Sequence, residues 1–260
     1  MEGILQYFFK ASAWPMEAPR PYSGFHMLFG ASGIVAAGLL ACKLAKRPAS
    51  HVLFISGLVL AAIELYKQGF LYYAVNSQTY DWWYFPFQLC SVPMYLGILY
   101  PAIQKQAPKA AAIMGTFIQD FALLGGFMAL AEPSGLMHPY WVLTLHGFIW
   151  HFILICMGLY CALSGTGSRK AGAFVSTLPL LLGCSLIATL INVASHPYGN
   201  ADMFYISPYY PNEQIVFHEI ALTIGILPGN LLYLSSVALG GWIFHMACRL
   251  LTVQSIDAPF

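Results

Sequence analysis

The chain of 260 residues is long enough for one large domain, yet 59% of it is hydrophobic and only 8% charged, with a mean hydropathy of +0.68. A water-soluble domain carries about a quarter charged residues, so a soluble enzyme is excluded and an all-α polytopic membrane bundle is expected. Eleven basic residues against ten acidic ones, a net charge of +1, give no basic stripe for DNA or RNA.

In chain order, Met1 to Lys10 has an acid at Glu2 and an apolar run of only Ile4 to Phe9, which is not the pattern of a secretory leader. Residues 1–260 are expected to form a single integral membrane domain, of which 1–21 are a short N-terminal interfacial segment. A hydrocarbon layer about 30 Å thick takes roughly 20 apolar residues per helical span. Seven stretches meet that length, near Tyr22–Cys42, Val52–Tyr72, Tyr84–Ile103, Ala110–Ala131, Trp141–Leu163, Ala171–Val193 and Ile226–Cys248. Short turn-rich segments join them, except for a long connection from Ala194 to about Gly225 that holds three prolines and the tyrosines Tyr205, Tyr209 and Tyr210.

Cytoplasmic loops are enriched in Lys and Arg. Lys43, Lys46, Arg47, Lys105, Lys109, Arg169, Lys170 and Arg249 fall in the odd-numbered loops and the C-terminus, which predicts the N-terminus outside and the C-terminus inside; Lys10 and Arg20 oppose this. Trp82, Trp83, Tyr84, Tyr140 and Trp141 then form an outer aromatic belt. A multi-pass protein of a bacterial plasma membrane is expected.

An ionisable side chain inside hydrocarbon costs at least about 2.5 kcal/mol, so each one has a partner or a function. His26, Glu64, Lys67, Gln68, Gln88, Cys90, His146 and Asn192 fall at a similar outer depth on five spans, whereas Asp120, Gln119 and His151 lie deeper. This pattern predicts a polar cavity opening outward. Structural readings stand beside it: Glu64 and Lys67 are three apart and can pair on one helix, Asp120 can accept hydrogen bonds from a neighbouring helix, Asn192 can link helices, and His26 can be a wet interfacial histidine.

The six cysteines have no CxxC or zinc-site spacing, and no metal or other cofactor is expected. Only Cys90 lies in the polar layer, between Pro86 and Pro93; within a span, Pro93 would free the carbonyl of Leu89. A thiol attacks as thiolate and needs a base within reach. His146 matches Cys90 in depth to within one helical turn. His151, five residues on, is turned by about 140° and sunk by about 7.5 Å, so the two histidines are expected on different faces. An unreactive cysteine and a structural histidine remain the alternative.

The string Phe85-Pro-Phe-Gln-Leu-Cys-Ser91, the segment Gly24-Phe25-His26 and His138-Pro-Tyr-Trp followed by Leu145-His146-Gly147 resemble the bacterial YwaF-type integral membrane family. That family is similar to the eukaryotic transmembrane protein 164, an acyltransferase of ether phospholipids, and distantly to the androgen-induced threonine/histidine hydrolases of lipid esters. The resemblance implies a Cys nucleophile and a His base on separate helices, carried here by Cys90 and His146. Related sequences often have histidine two residues before the cysteine, where this chain has Gln88.

The expected function is transfer of an acyl group from a phospholipid ester through a thioester on Cys90 to a lysophospholipid or to water. Gln88 and Asn192 are the candidate oxyanion donors, with His151 or Glu64 assisting the base. The rival reading is a solute or proton-coupled transporter lined by Glu64, Lys67, Asp120 and His151. A seven-helix receptor has little support, because no sizeable cytoplasmic loop is expected.

Overall fold

Apolar segments in lipid must satisfy every backbone N–H and C=O internally, and a helix does this within one segment. The computed structural model describes residues 3–253. Among them are ten α-helices: α1 (Ile4–Ala11), α2 (Gly24–Leu44), α3 (Ala49–Phe70), α4 (Val92–Gln106), α5 (Pro108–Phe117), α6 (Leu123–Ala131), α7 (Trp141–Ser164), α8 (Leu178–Ser195), α9 (Ile215–Ile224) and α10 (Ile226–Val253). Residues 1, 2 and 254–260, the ends of the expected domain, lie outside the described residues.

Six helical stretches are long and apolar enough to cross a membrane: Gly24–Leu44, Ala49–Val75, Pro108–Ala131, Trp141–Ser164, Ala171–Ser195 and Ile226–Leu250. The protein is therefore an all-α, multi-pass membrane bundle. Two of these stretches contain one π-helical turn each, Leu71–Val75 after α3 and Ile118–Ala122 between α5 and α6. Such turns widen the helix by one residue and displace side chains that a regular helix would keep in register.

The expected third span is corrected. Residues 76–91 are irregular apart from short 3₁₀ turns, and α4 has only 15 residues, about 22 Å at 1.5 Å per residue. The cause is proline. Pro86 has no N–H to give and pushes Phe85 out of the helical region; Phe85 is extended, with ψ 132, and so is Gln88, with ψ 164. Pro93 sits in the first turn of α4, where a missing N–H removes no internal bond. The Leu89 carbonyl is not orphaned, since it accepts from the Val92 N–H. Cys90 therefore lies in a 3₁₀ turn ahead of α4, not six residues inside a span.

Helix α4 is buried against α3 by the close approach of two glycines. A Cβ on Gly97 would stand 2.6 Å from the Leu53 carbonyl oxygen, and one on Gly57 2.8 Å from the Met94 oxygen and the Ile98 nitrogen. Small residues permit this contact between membrane helices. Gly97→Ala is expected to lower stability by about 1–3 kcal/mol, because backbone has to move aside. Gly183→Ala, where a Cβ meets nothing within 4 Å, should be neutral or slightly stabilising. Thermal unfolding of the two variants in detergent checks this contrast.

Helix α1 lies against the end of α3 and the π-helical turn after it, with Ile4 89% and Tyr7 73% exposed, while the Phe9 ring stacks on Tyr73 at 5.6 Å. Its apolar surface, together with the exposed Leu5 and Phe8, suits the interfacial placement expected for this end of the chain. The long connection before α10 holds α9, which Gly225, at φ +97, separates from α10.

Candidate active site

The polar side chains of the bundle converge on a cavity of about 160 Å³. Its walls come from five parts of the chain: Glu64 and Lys67 near the end of α3, the segment Trp83 to Pro86 with Gln88, Cys90 and Ser91, the connection residues Gly135, Leu136 and His138, the α7 residues Leu143, His146, Gly147, Trp150 and His151, and Tyr205 from the long connection. A water occupies about 30 Å³ of liquid, so the cavity takes an ester group and its nearest atoms, not a whole lipid.

Glu64 anchors the site. Its Oε1 accepts from Lys67 Nζ at 2.8 Å and from Gln68 Nε2 at 2.7 Å, and the same Gln68 amide donates to the Tyr84 carbonyl at 2.6 Å. The pairing of Glu64 with Lys67 is thus present in the structure. The second carboxylate oxygen, Oε2, faces His146 Nε2 at 3.7 Å. That separation is too long for a hydrogen bond, and Nε2 is buried with no hydrogen-bond partner in the protein.

His146 stacks on Trp150 with ring centroids 5.5 Å apart, and Trp150 Nε1 donates to the Cys90 carbonyl at 3.2 Å. One indole thus fixes the histidine ring and the cysteine backbone. His151 also lines the cavity, contrary to the expectation that it would lie on another face. The cavity is broad enough at α7 to take both residues, and His151 Nδ1 donates back to the Gly147 carbonyl at 2.6 Å. That bond leaves His151 Nε2 as the acceptor nitrogen.

Other expected site residues are placed elsewhere. His26 receives the Tyr22 N–H on Nδ1 at 3.0 Å and donates from Nε2 to the Leu130 carbonyl at 3.0 Å, tying α2 to the end of α6. Asp120 and His245 form a fully buried pair, Nδ1 to Oδ2 at 2.9 Å, away from the cavity. Each expected oxyanion donor gives an amide N–H to the long connection. Gln88 Nε2 donates to the Asp202 carbonyl and its Oε1 accepts from the Phe204 N–H, both at 2.8 Å. Asn192 accepts from the Met203 N–H at 2.6 Å and donates to the Met203 carbonyl at 3.1 Å. Both amides serve the backbone of the long connection.

That backbone needs holding. Phe204 and Tyr205 are consecutive non-glycine residues at φ +61 and +56, a conformation that costs about 1–3 kcal/mol per residue. Gln88, Asn192 and Asn212, whose Nδ2 donates to the Tyr205 carbonyl at 2.7 Å, hold it in place. Asp202 adds a fourth tie through Oδ1, which accepts from the Ser207 N–H at 2.8 Å, while its Oδ2 has no hydrogen-bond partner.

Burial pushes the Asp202 carboxyl up to about 7, against the hydrogen bond from Ser207 and with the charge of Glu213 adding to the rise. A carboxyl raised in the folded state stabilises the fold below its unfolded value near 3.9 and loses that contribution as pH climbs through about 7. The protein should therefore melt at a higher temperature at pH 5.5 than at pH 8.5. Asp202→Asn should reduce this difference in a thermal-unfolding series, because the amide keeps an acceptor for Ser207 and cannot ionise.

His138, Trp150 and Tyr205 are cavity residues that the sequence does not single out as such. His138 lies within the motif at 138–141, and burial holds it below the ordinary imidazole range. Tyr205 sits in the tyrosine-rich connection, and only the amide ties turn it toward the cavity. The chain matches no family profile, no curated protein and no solved structure.

Proposed function

We propose that the protein is a membrane lipid acyltransferase or acyl-ester hydrolase that works through Cys90 and His146, in the manner that the resemblance to the YwaF-type family implies. The observation that carries the reading is that a cysteine, a histidine and a carboxylate from three separate elements line one small cavity, with Glu64 Oε2 turned to His146 Nε2. A nucleophile, a base and a group that orients the base form the general pattern of covalent acyl transfer.

With Nε2 turned to Glu64, the other ring nitrogen, Nδ1, is the one to take the Cys90 proton. The Cys90 sulfur then bonds to the ester carbonyl carbon, the carbon–oxygen bond of the ester breaks, and His146 returns the proton to the leaving alkoxide. In the second half, His146 takes a proton from a lysolipid hydroxyl or from water, that oxygen attacks the thioester, the carbon–sulfur bond breaks, and His146 returns the proton to the Cys90 sulfur. Glu64 stabilises the imidazolium that forms in each half. Lys67, the lysine of the cavity wall, offsets the charge of Glu64 and adds positive potential over the sulfur.

A transport path would need Asp120 open to the cavity, and Asp120 is closed off against His245 and Gln119. Proteoliposomes holding a fluorescent phosphatidylcholine and a lysolipid test the proposal. Labelled acyl chains should appear in the acceptor or as free fatty acid, and His146→Gln should slow this by about 10²–10⁴-fold. Acyl movement that is unchanged in His146→Gln contradicts the proposal.

A further inference from the structure

Strained backbone at a cavity wall points to a side chain whose position matters more than its cost. Phe204 and Tyr205 carry that strain, and Gln88, Asn192 and Asn212 bind the peptide groups on either side of it. The hydrogen bonds put the Tyr205 side chain in the cavity beside Cys90 and His146. Trp83 and Tyr233 meet its ring edge-on at 6.1 and 6.2 Å and fix the ring plane.

The hydroxyl is also placed chemically. Tyr205 and Cys90 line the same cavity, with His146 between the same walls. Burial raises Tyr205 above the ordinary phenol range, so the O–H is retained at any working pH. The two expected donors are engaged elsewhere: the amides of Gln88 and Asn192 each bond the backbone of the long connection through both their oxygen and their nitrogen.

We propose that Tyr205 is a catalytic residue, the hydrogen-bond donor to the carbonyl oxygen of the ester as sulfur attack turns it into an oxyanion. The inference rests on the acyl-transfer reading and adds to it the group that stabilises the tetrahedral intermediate. No proton is lost in the step: the Tyr205 O–H donates while negative charge builds on the carbonyl oxygen, and it relaxes when the leaving group departs.

Two reactions of the same sulfur separate this role from a structural one. Acylation of Cys90 by 4-nitrophenyl octanoate passes through an oxyanion, whereas alkylation by iodoacetamide does not. Both are measured on the full chain in proteoliposomes by peptide-resolved mass spectrometry. Tyr205→Phe, which keeps the ring, should slow acylation by about 10²-fold, the usual effect of losing one oxyanion donor, and leave alkylation unchanged. Equal acylation in Tyr205→Phe and the parent overturns the proposal, as does an equal loss of both reactions, which marks a structural role. If the parent chain alkylates at Cys90 but never acylates there, the acyl-transfer reading fails and this proposal falls with it.

Discussion

Cys90→Ala is expected to reduce lipid acyl movement by at least ~10³-fold, because covalent catalysis has no substitute for a missing nucleophile. The variant should fold. Cys90 is only half-buried, and Trp150 holds its backbone carbonyl rather than its sulfur. The double variant Cys90→Ala/His146→Gln should be no slower than Cys90→Ala alone, since groups that act as one unit do not contribute additively. Release of a fluorescent fatty acid from vesicles measures all three. A double variant slower than the single by the full effect of His146→Gln would show that the two residues act separately. Glu64→Gln should cost less than His146→Gln, because it removes orientation and charge but leaves the base.

The second large effect falls on stability. Asp120 lies in the π-helical turn between α5 and α6, and its carboxylate accepts from His245 on α10 and from Gln119 Nε2 at 2.9 Å. The far ring nitrogen, Nε2, donates to the Lys170 carbonyl at 3.1 Å. Both nitrogens of His245 thus face oxygen, and the pair ties the last helix to the connection before α8. Removing one member of a buried pair strands the other and typically costs about 3–5 kcal/mol. His245→Ala and Asp120→Ala should each lower the melting temperature by about 10 °C, whereas Asp120→Asn, which can still accept a hydrogen bond, should lose less. A thiol-reactive dye that reports exposure of the buried Cys156, Cys161, Cys184 and Cys248 reads the transition directly. Unchanged melting in both alanine variants would remove the pair from the account of stability.

Much of this architecture is legible in the sequence because lipid admits few solutions. Runs such as Trp141 to Leu163 have no charged residue and no proline and can only be helices. The segment from Tyr84 to Leu89 misleads for a local reason: its apolar residues meet the length of a span, and Pro86 decides the backbone instead. For the site, depth along the helices brings Glu64, Lys67 and His146 together, since residues near the same ends of neighbouring spans are close in space, while Gln88 and Cys90 reach them from the irregular segment ahead of α4. Depth says nothing about which way a side chain turns. His26 and Asn192 share that layer and bond elsewhere, and His151 reaches the cavity from a turn deeper. Tyr205 is invisible to such reasoning, because its place depends on hydrogen bonds from Gln88, Asn192 and Asn212 across long stretches of chain. The partner of Asp120 is hidden in the same way, 125 residues further on at His245.

The most direct measurement is the acyl state of Cys90 itself. After incubation with phosphatidylcholine vesicles, the peptide that contains Cys90 should carry a fatty acyl group that neutral hydroxylamine removes, the behaviour of a thioester, and Cys90→Ala should carry none. Acyl release by the parent chain with no acyl group on Cys90, or at the same rate in Cys90→Ala, would contradict the account.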